Sequence, residues 1–173
     1  MYASAAEGLR GALDRCFWSD EHGRYLRTLG DPTLDVSLLG LAWPFRAVDP
    51  AGARMRATAD AVEGALARPD GGLLRYERDT YAGGNPWVLA ALWLGLYRRQ
   101  LGDLEGHRRA VEYAQRVATP LGLLPEQVTD HGEPAWVVPL AWSHAMLVLC
   151  ARPELEAVRA PAFAARSSVR VPQ

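Results

Sequence analysis

Glu126 stands in the run Leu124-Pro125-Glu126-Gln127-Val128, a single carboxylate beside a proline and among apolar residues. A carboxylate held in such surroundings can activate water as a general base. About 50 residues upstream, the stretch from Gly71 to Trp87 carries Arg75, Tyr76, Glu77, Arg78, Asp79 and Tyr81 between glycine pairs. Aromatic faces stack on sugar C–H surfaces while Arg and Asp hydrogen-bond hydroxyls, so this stretch suits a polyhydroxylated ligand. Each segment also has a plainer reading. Glu126 would then be an exposed loop glutamate, Arg75 the ion-pair partner of Asp79, Trp87 a core residue and Asn85-Pro86 a helix start. His144, on an apolar segment, reads as a hydrogen-bonded core histidine, because no Asp or Cys stands at a spacing that builds a triad or metal site around it. His22, His107 and His131 read as surface or turn residues. No glycine-rich phosphate loop is present, which disfavours nucleotides.

The elements that must hold these residues repeat. Trp43, Trp93 and Trp142 recur about every 50 residues, and Gly23-Arg24-Tyr25, Leu74-Arg75-Tyr76 and Pro125-Glu126-Gln127 keep the same beat. Three amphipathic segments alternate with three apolar ones. The amphipathic ones are a helix from a Ser4/Glu7 capping box to about Phe17, a stripe Met55, Ala59, Val62, Leu66 entered through Asp49-Pro50, and a stripe Leu104, Val111, Ala114, Val117 capped by Asp103. The apolar ones run from Val36 to Phe45, Trp87 to Tyr97 and about Val138 to Ala151. Asn85-Pro86 and Pro139 suit the first turns of the last two, and Pro153 suits the stop.

A helix with no polar face must be surrounded by protein. The pattern therefore predicts outer helices wrapped around inner ones in three hairpins. The long loops, about 18–34, 68–84 and 119–134, emerge at one end. Loops of that length on a rigid scaffold are where function concentrates. An arc of three hairpins leaves two apolar flanks uncovered, which points to half of a closed ring. Periodicity alone leaves a self-contained small helical bundle open.

At 173 residues the chain fits one domain, and its 49% hydrophobic and 23% charged residues are ordinary for a globular protein. A net charge of −1 favours neither nucleic acid nor an anionic membrane. Cys16 and Cys150 lie far apart, which argues against a disulfide framework or zinc site and for a reducing compartment. No signal peptide or membrane span is legible, so a cytoplasmic location is expected. No metal or cofactor is expected.

Taken together, the loop segments resemble glycoside hydrolase family 15, the inverting glucoamylases with their glucodextranase and trehalase relatives. The resemblance rests on Gly71 to Tyr76 with Asp79 and Tyr81, on Gly83 to Trp87, on Gly122 to Gln127, on Pro134 to Ala145 and on Asp35 to Phe45. It covers about residues 10 to 151. It implies an all-α fold, a partial (α/α)6 barrel of about three hairpins, with residues 1–152 as the C-terminal half of the catalytic domain and 153–173 as a tail. It also implies Glu126 as the general base, with Arg75, Tyr76, Asp79, Trp87, Gln127 and Trp142 at the substrate, an α-glucan or oligosaccharide. The repeat adds that Arg75 and Glu126 should be ring neighbours.

Inverting hydrolysis needs a second carboxyl as acid. None of Glu7, Glu21, Glu63 or Glu77 lies in a segment resembling the acid's motif, so the acid is expected on a missing N-terminal half. Two alternatives stand beside this reading: a non-catalytic carbohydrate-binding or partner subunit, and a trehalase-like specificity.

Overall fold

A computed structural model describes residues 2–152. The tail expected from residue 153, and the helix stop at Pro153, lie outside the described residues. Helix α1 (Tyr2–Ala12) runs through a π-helical turn at Leu13–Phe17 into a short hairpin, β1 (Trp18–Ser19) and β2 (Arg24–Tyr25). Its end near Phe17 is as expected. Its start is not, because the helix already runs from Tyr2 and Ser4 lies inside it rather than at a capping box.

Helix α2 (Ala53–Leu66) buries Met55, Thr58, Ala59, Val62 and Leu66, the stripe legible in the sequence. A turn closed by Gly52 N–H on the Asp49 carbonyl leads into it. Thr58 Oγ1 accepts from the Tyr25 amide at 3.0 Å and ties the first hairpin to α2.

Helices α3 (Val88–Gln100) and α4 (Leu104–Arg116) form the tightest pair. A Cβ on Gly95 would stand 2.6 Å from that of Ala110, so glycine there sets the close approach of the two helices. Asp103 caps α4 by accepting from Gly106 N–H at 2.8 Å. The buried face of α4 is Gly106, Ala110, Tyr113 and Ala114, whereas Leu104, in the first turn, is exposed. Around α3, Val88, Ala90, Ala91, Leu92, Leu94, Leu96 and Tyr97 are all buried, as an all-apolar helix requires.

The other two apolar segments depart from expectation. Residues 36–45 form a 3-10 turn (Val36–Leu41) rather than an α-helix, with Asp35 accepting from Ser37 N–H. Gly40 and Pro44 both weaken a helix there, and Trp43 gives its carbonyl to Trp93 Nε1–H at 2.8 Å. Helix α5 (Ala141–Ala151) begins three residues later than Val138, with Pro139 ahead of it. Residues 137–140 instead form a bent segment tied to the Glu126 loop, by Glu126 N–H on the Val137 carbonyl and Leu140 N–H on the Leu124 carbonyl, both at 2.9 Å.

Helix α5 packs on α3 and α4, with buried Cys150 donating from Sγ to the Leu92 carbonyl of α3 at 3.6 Å and its own carbonyl 3.2 Å from His107 Nε2 of α4. Trp142 (70% exposed) and Val148 (50%) face outward, joined by Ala141 and Ala145 on the same side. The flank left open by the repeat is therefore apolar. No helix among the described residues is long and apolar enough to cross a membrane.

Candidate active site

Backbone bonds stitch the long loops to one another at one end of the arc. Asp35 bridges to Tyr76, Leu73 to Trp87, and Trp87 in turn to Gln127. Val36 N–H donates to the Arg75 carbonyl at 2.8 Å, Trp87 N–H to the Leu73 carbonyl at 2.8 Å, and Val88 N–H to the Glu126 carbonyl at 3.1 Å. Trp87 is thus extended between two loops and α3 starts only at Val88. Asn85 does not cap α3 but donates its side-chain amide to the Ala82 carbonyl (3.1 Å) and to Gln127 Oε1 (3.3 Å). Arg75 and Glu126 come from loops that both join Trp87, as the repeat requires of ring neighbours.

Arg75 is held by an ion pair and three aromatic rings. Its Nε and Nη2 each donate to a different Asp79 oxygen at 3.0 Å, and its guanidinium lies 4.6 Å from the Trp87 ring, 4.8 Å from Tyr76 and 5.0 Å from Tyr81. Burial works against the Arg75 charge, yet the Asp79 bonds and charge outweigh it and hold the group above its ordinary value. The Asp79 side chain is fully buried and also accepts from Tyr81 N–H at 2.9 Å. The ion pair of the plainer reading therefore exists, and it presents the arginine.

Glu126 is 7% exposed, so it is not an exposed loop glutamate. Burial raises its carboxyl above the ordinary value, opposed by the Arg75 charge and a Gln127 hydrogen bond, with Asp79 adding to the rise. Glu126 Oε2 and Trp87 Nε1 are buried and make no hydrogen bond among the described residues. Buried polar groups are nearly always partnered. Gln100 Oε1 and Tyr113 Oη share this state elsewhere among the described residues, so it is the position of the Glu126 and Trp87 atoms beside the Arg75 cleft that sets them apart. Gln127 is fully buried and donates to the Tyr81 carbonyl at 3.3 Å.

Two residues of α5 hold the Glu126 strand from below. Ser143 Oγ donates to the Pro125 carbonyl at 2.8 Å, and His144 Nε2 accepts from Leu124 N–H at 3.0 Å. His144 is thus the hydrogen-bonded structural histidine expected. Its neighbour Ser143 was not legible as a support, because nothing in the sequence pairs it with Pro125.

A cleft of about 500 Å³ is lined by Asp35, Ser37, Arg75, Tyr76, Trp87, Trp93 and Trp142, among others. Its lining includes four of the expected site residues but not Glu126, Gln127 or Asp79. An apolar groove of about 250 Å³ adjoins it, sharing Trp93 and Trp142 and lined also by Trp43, so the three periodic tryptophans meet there. Among the described residues no group of His, Cys, Asp and Glu is placed to hold a metal.

No family model matches the chain. It is 32% identical over 164 residues to an uncharacterized glycosyl hydrolase of Methanocaldococcus jannaschii, covering 86% of this chain and 26% of that protein. It is 33% identical over 141 residues to the isomaltose glucohydrolase of Kribbella flavida, covering 75% of this chain and 36% of that one. The chain is a glycoside hydrolase homologue.

Solved structures agree. A wild-type glycosidase superposes with a TM-score of 0.79 at 30% identity over 89% of this chain and 44% of its own. A bacterial glucoamylase complexed with acarbose gives 0.79 at 22% identity, over 90% and 29%, which speaks to the fold alone. The arc of hairpins is thus a partial (α/α)6 barrel, and the chain spans between 26% and 44% of the length of these relatives.

Proposed function

We propose that this chain supplies the base and part of the sugar pocket of an inverting hydrolase of α-glucosidic bonds. Glu126 takes the proton of the water that attacks the anomeric carbon, while Arg75, Tyr76, Asp79, Trp87, Gln127 and Trp142 hold the sugar ring. The observation that carries this reading is the Glu126 carboxyl, buried with one oxygen unpartnered and within the charge field of the cleft-lining Arg75. Its raised pKa moves it towards the operating pH, where a general base accepts a proton most effectively.

Asp79 is not available as the acid, since Arg75 engages both of its oxygens. Inverting hydrolysis needs two carboxyls roughly 6.5–9.5 Å apart, leaving room for the water. Asp35, the carboxylate lining the cleft, is committed to Ser37 N–H and faces Arg27 at 3.5 Å, and the acid is assigned to a segment outside residues 1–152. These form the C-terminal half of the catalytic barrel, and the N-terminal half, on further sequence or a separate polypeptide, is their partner. That solved glycosidases are matched over only 44% of their length supports this division. The substrate class is α-glucans or short α-gluco-oligosaccharides, in keeping with the isomaltose, glucose and acarbose named for the relatives. Two free cysteines fit action in the cytoplasm.

The test is the anomer released from α-glucosyl fluoride, followed by proton NMR. β-Glucose should form first and Glu126→Gln should abolish its formation. First-formed α-glucose, or an undiminished rate in the variant, contradicts the proposal.

A further inference from the structure

Trp136 departs from its surroundings in two ways. Gln127 pairs with Ala135, so a regular ladder would set Glu126 opposite Trp136. Instead the Glu126 amide passes over it to the Val137 carbonyl at 2.9 Å, leaving Trp136 as a one-residue bulge. Bulges re-aim a side chain and are frequent beside active sites. Its backbone is left-handed, φ +65°, a conformation that is an outlier for a bulky residue and that glycine takes without strain.

The strain serves a defined placement. The indole N–H donates to the Tyr81 hydroxyl at 2.9 Å, and the two rings meet edge-on at 5.8 Å, while Trp136 stays 63% exposed. Tyr81 in turn lies 6.0 Å from Trp87, which lines the cleft with Arg75. An aromatic file thus runs from the cleft to the solvent, and Trp136 is its outer end.

We infer that Trp136 is a stacking platform for the second or third ring of an α-gluco-oligosaccharide whose first ring occupies the cleft. The inference rests on the carbohydrate reading above. An exposed, pre-positioned aromatic face is what a sugar ring leaving the cleft would meet, and holding it in advance spares the ordering cost on binding.

Isothermal titration of the chain with glucose and maltotriose tests it. Maltotriose should bind more tightly than glucose, and Trp136→Gly should lower that affinity ratio about tenfold, equivalent to about 1.4 kcal/mol. Glycine relieves the left-handed strain, so the variant should fold, which a thermal melt verifies. Trp136→Phe, which keeps a ring but not the indole N–H, should retain most of the ratio, and Arg75→Ala should weaken both sugars. An unchanged ratio in Trp136→Gly, with wild-type binding intact, overturns the platform and leaves the carbohydrate reading standing. Failure of the wild-type chain to bind either sugar overturns both.

Discussion

Replacing Asp79 by Asn removes one charge from the pair that presents Arg75. The carboxylate accepts three hydrogen bonds, two from Arg75 at 3.0 Å and one from Tyr81 N–H at 2.9 Å. An amide offers one acceptor oxygen and turns its NH2 group towards a donor, so at least one bond is lost and a donor–donor contact appears. Bonds to charged groups contribute about 1.5–3 kcal/mol each, and removing one partner of a buried pair costs about 3–5 kcal/mol. The Arg75 side chain is 31% exposed, so water recovers part of its solvation. The expected loss is therefore about 2–3 kcal/mol, at or just below the lower limit of the buried-pair range. For a chain of this size that lowers Tm by about 5–10 °C. Circular-dichroism melts at pH 7 measure it directly. A loss below about 0.5 kcal/mol, the level of an ordinary surface change, would refute the claim that Asp79 anchors the site.

Glu126 gives a pH-dependent prediction of opposite sign. Its folded pKa is raised, mainly by burial, so between the ordinary glutamate pKa and the folded one the folded protein holds more proton than the unfolded chain. The associated stability is complete below the ordinary glutamate pKa and is lost as pH rises through the folded one. Glu126→Gln should therefore melt higher than wild type at pH 7, and the difference should close as pH falls below the ordinary glutamate range; a Tm difference that does not change with pH would contradict the assignment. On the open flank, Val148→Asp should reduce concentration-dependent association in sedimentation velocity while shifting stability by no more than about 0.5 kcal/mol, because the position is half exposed.

What was legible in the sequence was whatever a helical period controls. The Met55-to-Leu66 stripe, the Asp103 cap and the all-apolar α3 follow from local rules, and the 50-residue beat placed Arg75 and Glu126 in adjacent loops. Where contacts from other segments decide, local rules fail. Residues 137–140 look helical by composition but are tied to the Glu126 loop, and residues 36–45 hold only a 3-10 turn, with the Trp43 carbonyl taken by Trp93.

Within the site, residue types pointed to a sugar and a base. Burial and support did not show. Glu126 is enclosed because Val88 and Val137 bond its backbone on either side, and Ser143 and His144 hold the two residues before it. The left-handed Trp136 carries no sequence signal, since a tryptophan is the last residue such a position would suggest.

The central claim is a base without its acid, and the leaving group tests it most directly. Fluoride departs without protonation, whereas the alcohol leaving group of maltose needs a general acid. Initial rates of glucose release from α-glucosyl fluoride and from maltose, by the chain alone, should show turnover of the fluoride, dependent on Glu126, and none of maltose. Glucose release from maltose by the isolated chain, lost in Glu126→Gln, would contradict the account, because the second carboxyl would then lie within these residues.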